Sequence, residues 1–225
     1  MTIKNITASF VPKALNVETY RDLIISPHPD DEVLGCGGIL SEDAFVYYCG
    51  IDESHIAPDP RHRIPTVAKE KEIIAAATLL GFTWSCNYKT KVLHYTEAEL
   101  IGELEKIIEL CKPERVFVPF PSYNQDHRTV YQAARVALRP HDKNHFVKKV
   151  LLYEQPQSLI WNDLMFNANC FMVIDIDRKI ASYECYKSQV RDMRSPDMIR
   201  AMAKMRGAQI NAPYAEAFQI DRWVL

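Results

Sequence analysis

Residues 22–38 read Asp-Leu-Ile-Ile-Ser-Pro-His-Pro-Asp-Asp-Glu-Val-Leu-Gly-Cys-Gly-Gly, and the rest of the chain is organised around them. The apolar run Leu23, Ile24, Ile25 reads as a buried strand that stops at Ser26-Pro27, because a proline has no N–H to give to the next rung of a sheet. Directly beyond it come one imidazole and three carboxylates, His28, Asp30, Asp31 and Glu32, and then Gly35, Gly37 and Gly38, which let the backbone turn tightly. So much like charge beside a buried strand end costs folding free energy unless a cation or a hydrogen-bond network offsets it. A divalent metal is the economical explanation, and a His and an Asp three apart can converge on one ion.

Outward from this stretch, Ala44–Ile51 is β-branched and aromatic enough for a second buried strand, ending in Asp52-Glu53-Ser54-His55. A loop with Pro58, Pro60 and Pro65 follows and carries Arg61, His62 and Arg63, which read either as a solvated surface or as a rim for the anionic part of a substrate. Val67, Ile73, Ile74, Ala77 and Leu80 recur near a 3.6 period and predict a helix over 66–80, stopped by Gly81. Thr96 and Glu99 form a capping box for a helix to about Leu110, broken by Pro113. Arg115–Phe120 is another buried strand that delivers a polar loop, Ser122 to His127, into a helix.

Lys149–Glu154 and Phe171–Ile176 read as further strands, and Asp177 as the cap of a helix through Met193. Trp161 and Phe166, between those strands, serve core packing or stack on a sugar ring. Residues 1–20 read as a short arm. The repeated order of strand, polar loop and helix predicts one α/β domain over 1–225, three-layered and Rossmann-like, with a mostly parallel sheet and helices on both faces. In such sheets the loops leaving the carboxyl ends of strands build the site, so the loops at 27–32 and 122–127 can meet.

The length of 225 residues suits one well-buried core, and 48% hydrophobic with 25% charged residues is ordinary for a soluble globular chain. A formal charge of −2 gives no general attraction to nucleic acid or anionic lipid. No apolar run is long enough for an integral membrane span, and no basic-then-apolar leader is visible. The six cysteines are scattered and form no Cys-x-x-Cys, so free thiols in a reducing cytoplasm are expected.

Pro27–Glu32 resembles, without a gap, the signature of the PIG-L/LmbE-like family of metal-dependent N-acetylglucosaminyl deacetylases, and Gly35, Gly37 and Gly38 fit its glycine-rich turn. The resemblance implies that His28 and Asp31 bind metal while Asp30 is the general base. Asp126-His127 is similar to the end of the family's second motif and implies His127 as third ligand, with Asp126 orienting a histidine from behind. Asn124 stands where the family has a histidine that stabilises the oxyanion or protonates the amine. An asparagine can donate to an oxyanion but gives no proton at neutral pH, so the acid role passes to Asp30, with Tyr123 a second candidate for polarising the carbonyl.

Lys69 replaces the family's arginine before Glu72, Tyr186 replaces the histidine ahead of Ser188-Gln189, and Tyr214–Phe218 is similar to its closing segment. Arg63, Lys69 and Gln189 are the candidate substrate contacts, and Glu32 a support behind the ligands. The implied protein is a hydrolase holding Zn2+ or another divalent transition metal and removing an N-acyl, chiefly N-acetyl, group from an amino sugar or sugar conjugate, with room for a homo-oligomer. Two rivals stay open: a magnesium-dependent phosphoester hydrolase using Asp30, Asp31 and Glu32, and a non-catalytic sugar-binding member of the fold.

Overall fold

The computed structural model describes residues 20–56, 63–142, 144–161 and 164–225; the expected arm, Arg61 and His62 lie outside the described residues. In chain order the elements are β1 (Asp22–Ser26), α1 (Asp31–Cys36), β2 (Ala44–Tyr48), α2 (Thr66–Leu80), β3 (Thr83–Cys86), α3 (Glu97–Cys111), β4 (Arg115–Pro119) and α4 (Gln125–Ala137). They continue with β5 (Lys149–Tyr153), α5 (Pro156–Ile160), β6 (Cys170–Val173), α6 (Ile176–Tyr183), α7 (Pro196–Ala208) and β7 (Ala215–Trp223).

The seven strands form one sheet in the order β3-β2-β1-β4-β5-β7-β6. Pairing is parallel from β3 to β5, whereas β7 runs antiparallel to both β5 and β6. Because successive side chains on a strand point to opposite faces, Ile24, Val46, Phe117 and Leu151 pack into a core under α1, α2, α6 and α7. Their neighbours Leu23, Ile25, Phe45, Val116 and Leu152 pack into a second core under α3 and α4. This is the three-layer α/β arrangement expected. Burial on both faces explains why these strands read as continuous apolar runs rather than as alternation.

The local signals act as their chemistry requires. Gly81 sits at φ 90 and closes α2, and Thr96 accepts the Glu99 N–H at 3.4 Å to start α3. On α2, however, the buried side is Ile73, Ala76 and Leu80, while Val67 and Ile74 are 59% and 52% exposed. With Ile73 and Ile74 adjacent, the apolar period alone does not choose between two faces. The helix expected from Asp177 to Met193 is shorter and begins earlier. Asp175 is the cap, accepting from the N–H groups of Asp177 and Arg178, and the helix ends at Tyr183. Asp192–Arg194 then forms a 3-10 turn, and Ser195-Pro196 starts α7 with Ser195 accepting the Met198 N–H. The strand β3 and the antiparallel strand β7 were not expected from the sequence.

All six cysteines are free thiols, and no helix among the described residues is long and apolar enough to cross a membrane.

Candidate metal centre and active site

From β1 the chain proceeds to β2 and β3 on one side, and from β4 to β5 on the other, so the carboxyl ends of β1 and β4 flank the point where the sheet order reverses. A crevice opens there in sheets of this kind. Beyond β1, Ser26 Oγ donates to the His28 carbonyl at 2.7 Å, and Asp30 takes φ 110, a left-handed conformation uncommon outside glycine. The reversal swings His28 back over the start of α1. Beyond β4, Asn124 caps α4 by accepting the Asp126 N–H at 2.8 Å, which places Asp126 and His127 in the first turn.

His28, Asp31 and His127, read as ligands from the sequence, are brought together. Asp31 Oδ2 lies 3.2 Å from His28 Nδ1 and 3.2 Å from His127 Nε2. The three donor atoms all fall within 4.8 Å of one another. Bonds to zinc of roughly 2.0–2.1 Å in a tetrahedron put ligand atoms about 3.3 Å apart. Two imidazole nitrogens and one carboxylate oxygen at this spacing fit a divalent transition metal with one position left for water or substrate.

The supporting atoms point the same way. Asp126 Oδ2 meets His28 Nε2 at 2.8 Å and also accepts the Leu93 N–H at 2.8 Å, leaving His28 Nδ1 directed at Asp31. Asp126, expected to orient a histidine from behind, thus lies in hydrogen-bond contact with His28. Burial lowers the His28 pKa, but the hydrogen bonds to Asp126 and Asp31 outweigh it and push it up to about 9 in the absence of metal. Burial also works against the Asp31 charge, and the imidazoles of His127 and His28 overcome it, holding this carboxyl well below its usual range. Gln155 Nε2 donates to Asp31 Oδ1 at 2.6 Å, and Gln157 Nε2 donates to Gln155 Oε1 at 2.5 Å. Gln155 went unnoticed in the sequence, although its place just past the carboxyl end of β5 was the available signal.

Asp30 is 2% exposed, and its Oδ2 accepts from Arg194 Nη1 at 2.8 Å. Burial raises the Asp30 pKa, and the Arg194 guanidinium offsets part of that rise. Glu32 does not join the cluster of His28, Asp31 and His127. It accepts the Asp30 N–H at 3.1 Å and the Tyr186 hydroxyl, and Tyr186 in turn meets Tyr48 Oη at 3.1 Å. Burial pushes Glu32 up to about 7 against the Tyr186 hydrogen bond. Tyr186 is thus the donor beneath the signature loop.

A cleft of about 930 Å³ opens over this cluster, lined among others by Glu53, Tyr123, Asn124, Trp161, Gln189 and Arg194. Tyr123 and Trp161 are 56% and 77% exposed at its mouth. Of the three candidate substrate contacts, only Gln189 lines the cleft. Lys69 is fully buried and pairs with Glu53, so its charge reaches the cleft through that carboxylate, and Arg63 is exposed outside the lining. Glu72 accepts from Ser188 N and Oγ at 2.8 and 2.6 Å, anchoring the segment that carries Gln189.

A family model described as GlcNAc-PI de-N-acetylase (PIG-L) matches residues 23–138. No curated protein sequence matches the chain. Among solved structures, the conserved protein TT1542 from Thermus thermophilus superposes with a TM-score of 0.75 at 23% identity, covering 92% of this chain and 96% of that one. The 4-carboxy-2-hydroxymuconate hydratase GalB from Pseudomonas putida gives 0.71 at 19% identity, with 91% and 98% covered. The N,N'-diacetylchitobiose deacetylase from Pyrococcus horikoshii gives 0.69 at 21% identity, with 90% and 84% covered. At these identities the likeness is one of fold, and it includes proteins named for different reactions.

Proposed function

The chain belongs to the PIG-L family, and from that premise we propose that it is a metal-dependent hydrolase that removes an N-acyl group, chiefly N-acetyl, from an amino sugar or sugar conjugate. The observation that carries this reading is the convergence of His28, Asp31 and His127 at the floor of a cleft, with the Asp30 carboxylate beside them.

His28 Nδ1, Asp31 Oδ2 and His127 Nε2 would hold the ion, zinc in the first instance. When bound, it supplies Lewis-acid polarisation of the acyl carbonyl and lowers the pKa of a water. Asp30 then accepts the proton as the water oxygen adds to the carbonyl carbon. The amide nitrogen of Asn124, whose oxygen is committed to capping α4, and the Tyr123 hydroxyl both line the cleft and are the candidate donors to the developing oxyanion. The carbon–nitrogen bond breaks as Asp30 returns its proton to the departing amine, giving a free amine and a carboxylate. Glu53, backed by Lys69, accepts from sugar hydroxyls, and Trp161 offers an aromatic face to the ring. The free thiols fit a protein of a reducing compartment.

The donor set argues against magnesium phosphoester chemistry. Glu32 is engaged by Asp30 N–H and Tyr186 and Asp30 is tied by Arg194, so the donors that converge are two imidazoles and the Asp31 carboxylate, where magnesium asks for oxygen. Replacement Asp30→Ala tests the hydrolase reading and the sugar-binding alternative together. Amine release from a panel of N-acetyl amino sugars should fall by about 10²–10⁴-fold with metal content unchanged. Full residual activity would overturn the assigned base, and a wild-type protein that binds the sugars without turnover would favour the non-catalytic member.

A further inference from the structure

We propose that Arg194 is the positioning residue for the catalytic carboxylate: the arginine at the end of the 3-10 turn Asp192–Arg194 ties one oxygen of Asp30 and so aims the other into the cleft above His28, Asp31 and His127. The role assigned to Asp30 rests on the hydrolase reading; its tethering does not.

An aspartate at the N-cap of a helix ordinarily turns its carboxylate onto the N–H of the second or third helical residue. Asp30 occupies that position on α1 and makes no such bond. Its own N–H is instead taken by the Glu32 carboxylate at 3.1 Å, and the residue sits at φ 110 rather than in the extended conformation usual at an N-cap. The Asp30 carboxylate is therefore released from capping. The torsion that orients an aspartate carboxylate is soft and roughly two-fold, so a separate contact has to set it.

Arg194 is that contact, with Nη1 2.8 Å from Asp30 Oδ2. Arg194 takes only Oδ2, and the residue, 2% exposed, lines the cleft. The arginine is itself anchored. Its N–H donates to the Arg191 carbonyl at 2.8 Å, and the next residue, Ser195, caps α7. The orientation of Asp30 is thus referred to α7, which packs on β7 at the far side of the sheet. Nothing in the sequence marks Arg194, because the contact joins residues 164 positions apart.

The test uses the zinc-loaded full chain carrying Arg194→Met or Arg194→Lys. For Arg194→Met, kcat on an N-acetyl amino sugar should fall about 10²-fold, the cost of a misplaced catalytic group, with KM within about threefold and one metal per chain retained. Lysine keeps a point charge without the fork and should recover part of kcat. A purely structural ion pair would lower the melting temperature without this split between kcat and KM. Crystal structures of both zinc-loaded proteins supply a second readout: in Arg194→Met the Asp30 carboxylate should rotate away from its wild-type orientation. An unchanged Asp30 orientation, an unchanged kcat, or a loss wholly in KM would each overturn the proposal. If the wild-type protein releases no amine, the hydrolase reading fails, and the crystallographic comparison alone decides what Arg194 does.

Discussion

Replacing Asp126 with Ala separates the support of the metal site from the metal site itself. Asp126 Oδ2 holds two groups, the Leu93 N–H at 2.8 Å and His28 Nε2 at 2.8 Å. Losing the first leaves a backbone donor without its partner, at about 1–3 kcal/mol of folding stability whether or not metal is bound. Losing the second frees the His28 ring, and removal of such a supporting carboxylate weakens metal binding about 10–100-fold, or about 1.4–2.7 kcal/mol. A third effect opposes the second. With its pKa pushed up to about 9, His28 in the metal-free protein must shed a proton to bind metal, a competition worth about 100-fold at pH 7. Without Asp126 that competition shrinks, because burial lowers the His28 pKa and only Asp31 is left to oppose it. The zinc affinity, read by competition against a chromophoric chelator, should therefore drop about 10–100-fold at pH 9.5 and by much less at pH 7. A drop of the same size at both pH values, or none at pH 9.5, would refute the assignment of Asp126.

Two further outcomes follow from buried groups behind the site. Tyr186→Phe removes the hydroxyl that donates to Glu32, whose carboxylate is fully buried; urea denaturation should show a loss of about 1.5–3 kcal/mol, and an unchanged midpoint would contradict the contact. Burial raises the Glu216 pKa despite its pairing with Lys179. A carboxyl raised in the folded state contributes stability that is fully present below its unfolded pKa and lost as pH rises through the folded value. Melting temperatures from pH 4 to 8 should accordingly show the wild type losing ground to Glu216→Gln as pH rises, whereas parallel curves would contradict the shift.

Much of this was legible in the chain because the deciding signals are local. Ser26-Pro27 ends β1, Gly81 ends α2 and Thr96 starts α3, each through the chemistry of one or two residues. The cluster of His28, Asp31 and His127 was legible because His28 and Asp31 share one turn and His127 opens a helix after a strand of the same kind. The antiparallel strand β7 was not, since its partners β5 and β6 lie far back in sequence. Gln155 and Arg194 escaped for the same reason, as each acts on the signature loop across more than a hundred residues. Lys69 was legible as a charge but not as a buried one, because its partner Glu53 sits in a different segment.

Anomalous diffraction at the zinc edge from crystals grown with the metal addresses the central claim most directly. The account predicts a single strong peak about 2.0–2.2 Å from His28 Nδ1, an Asp31 carboxylate oxygen and His127 Nε2, facing the cleft with Asp30 next to it. A peak held by other residues, or one that leaves His127 uncoordinated, would contradict it.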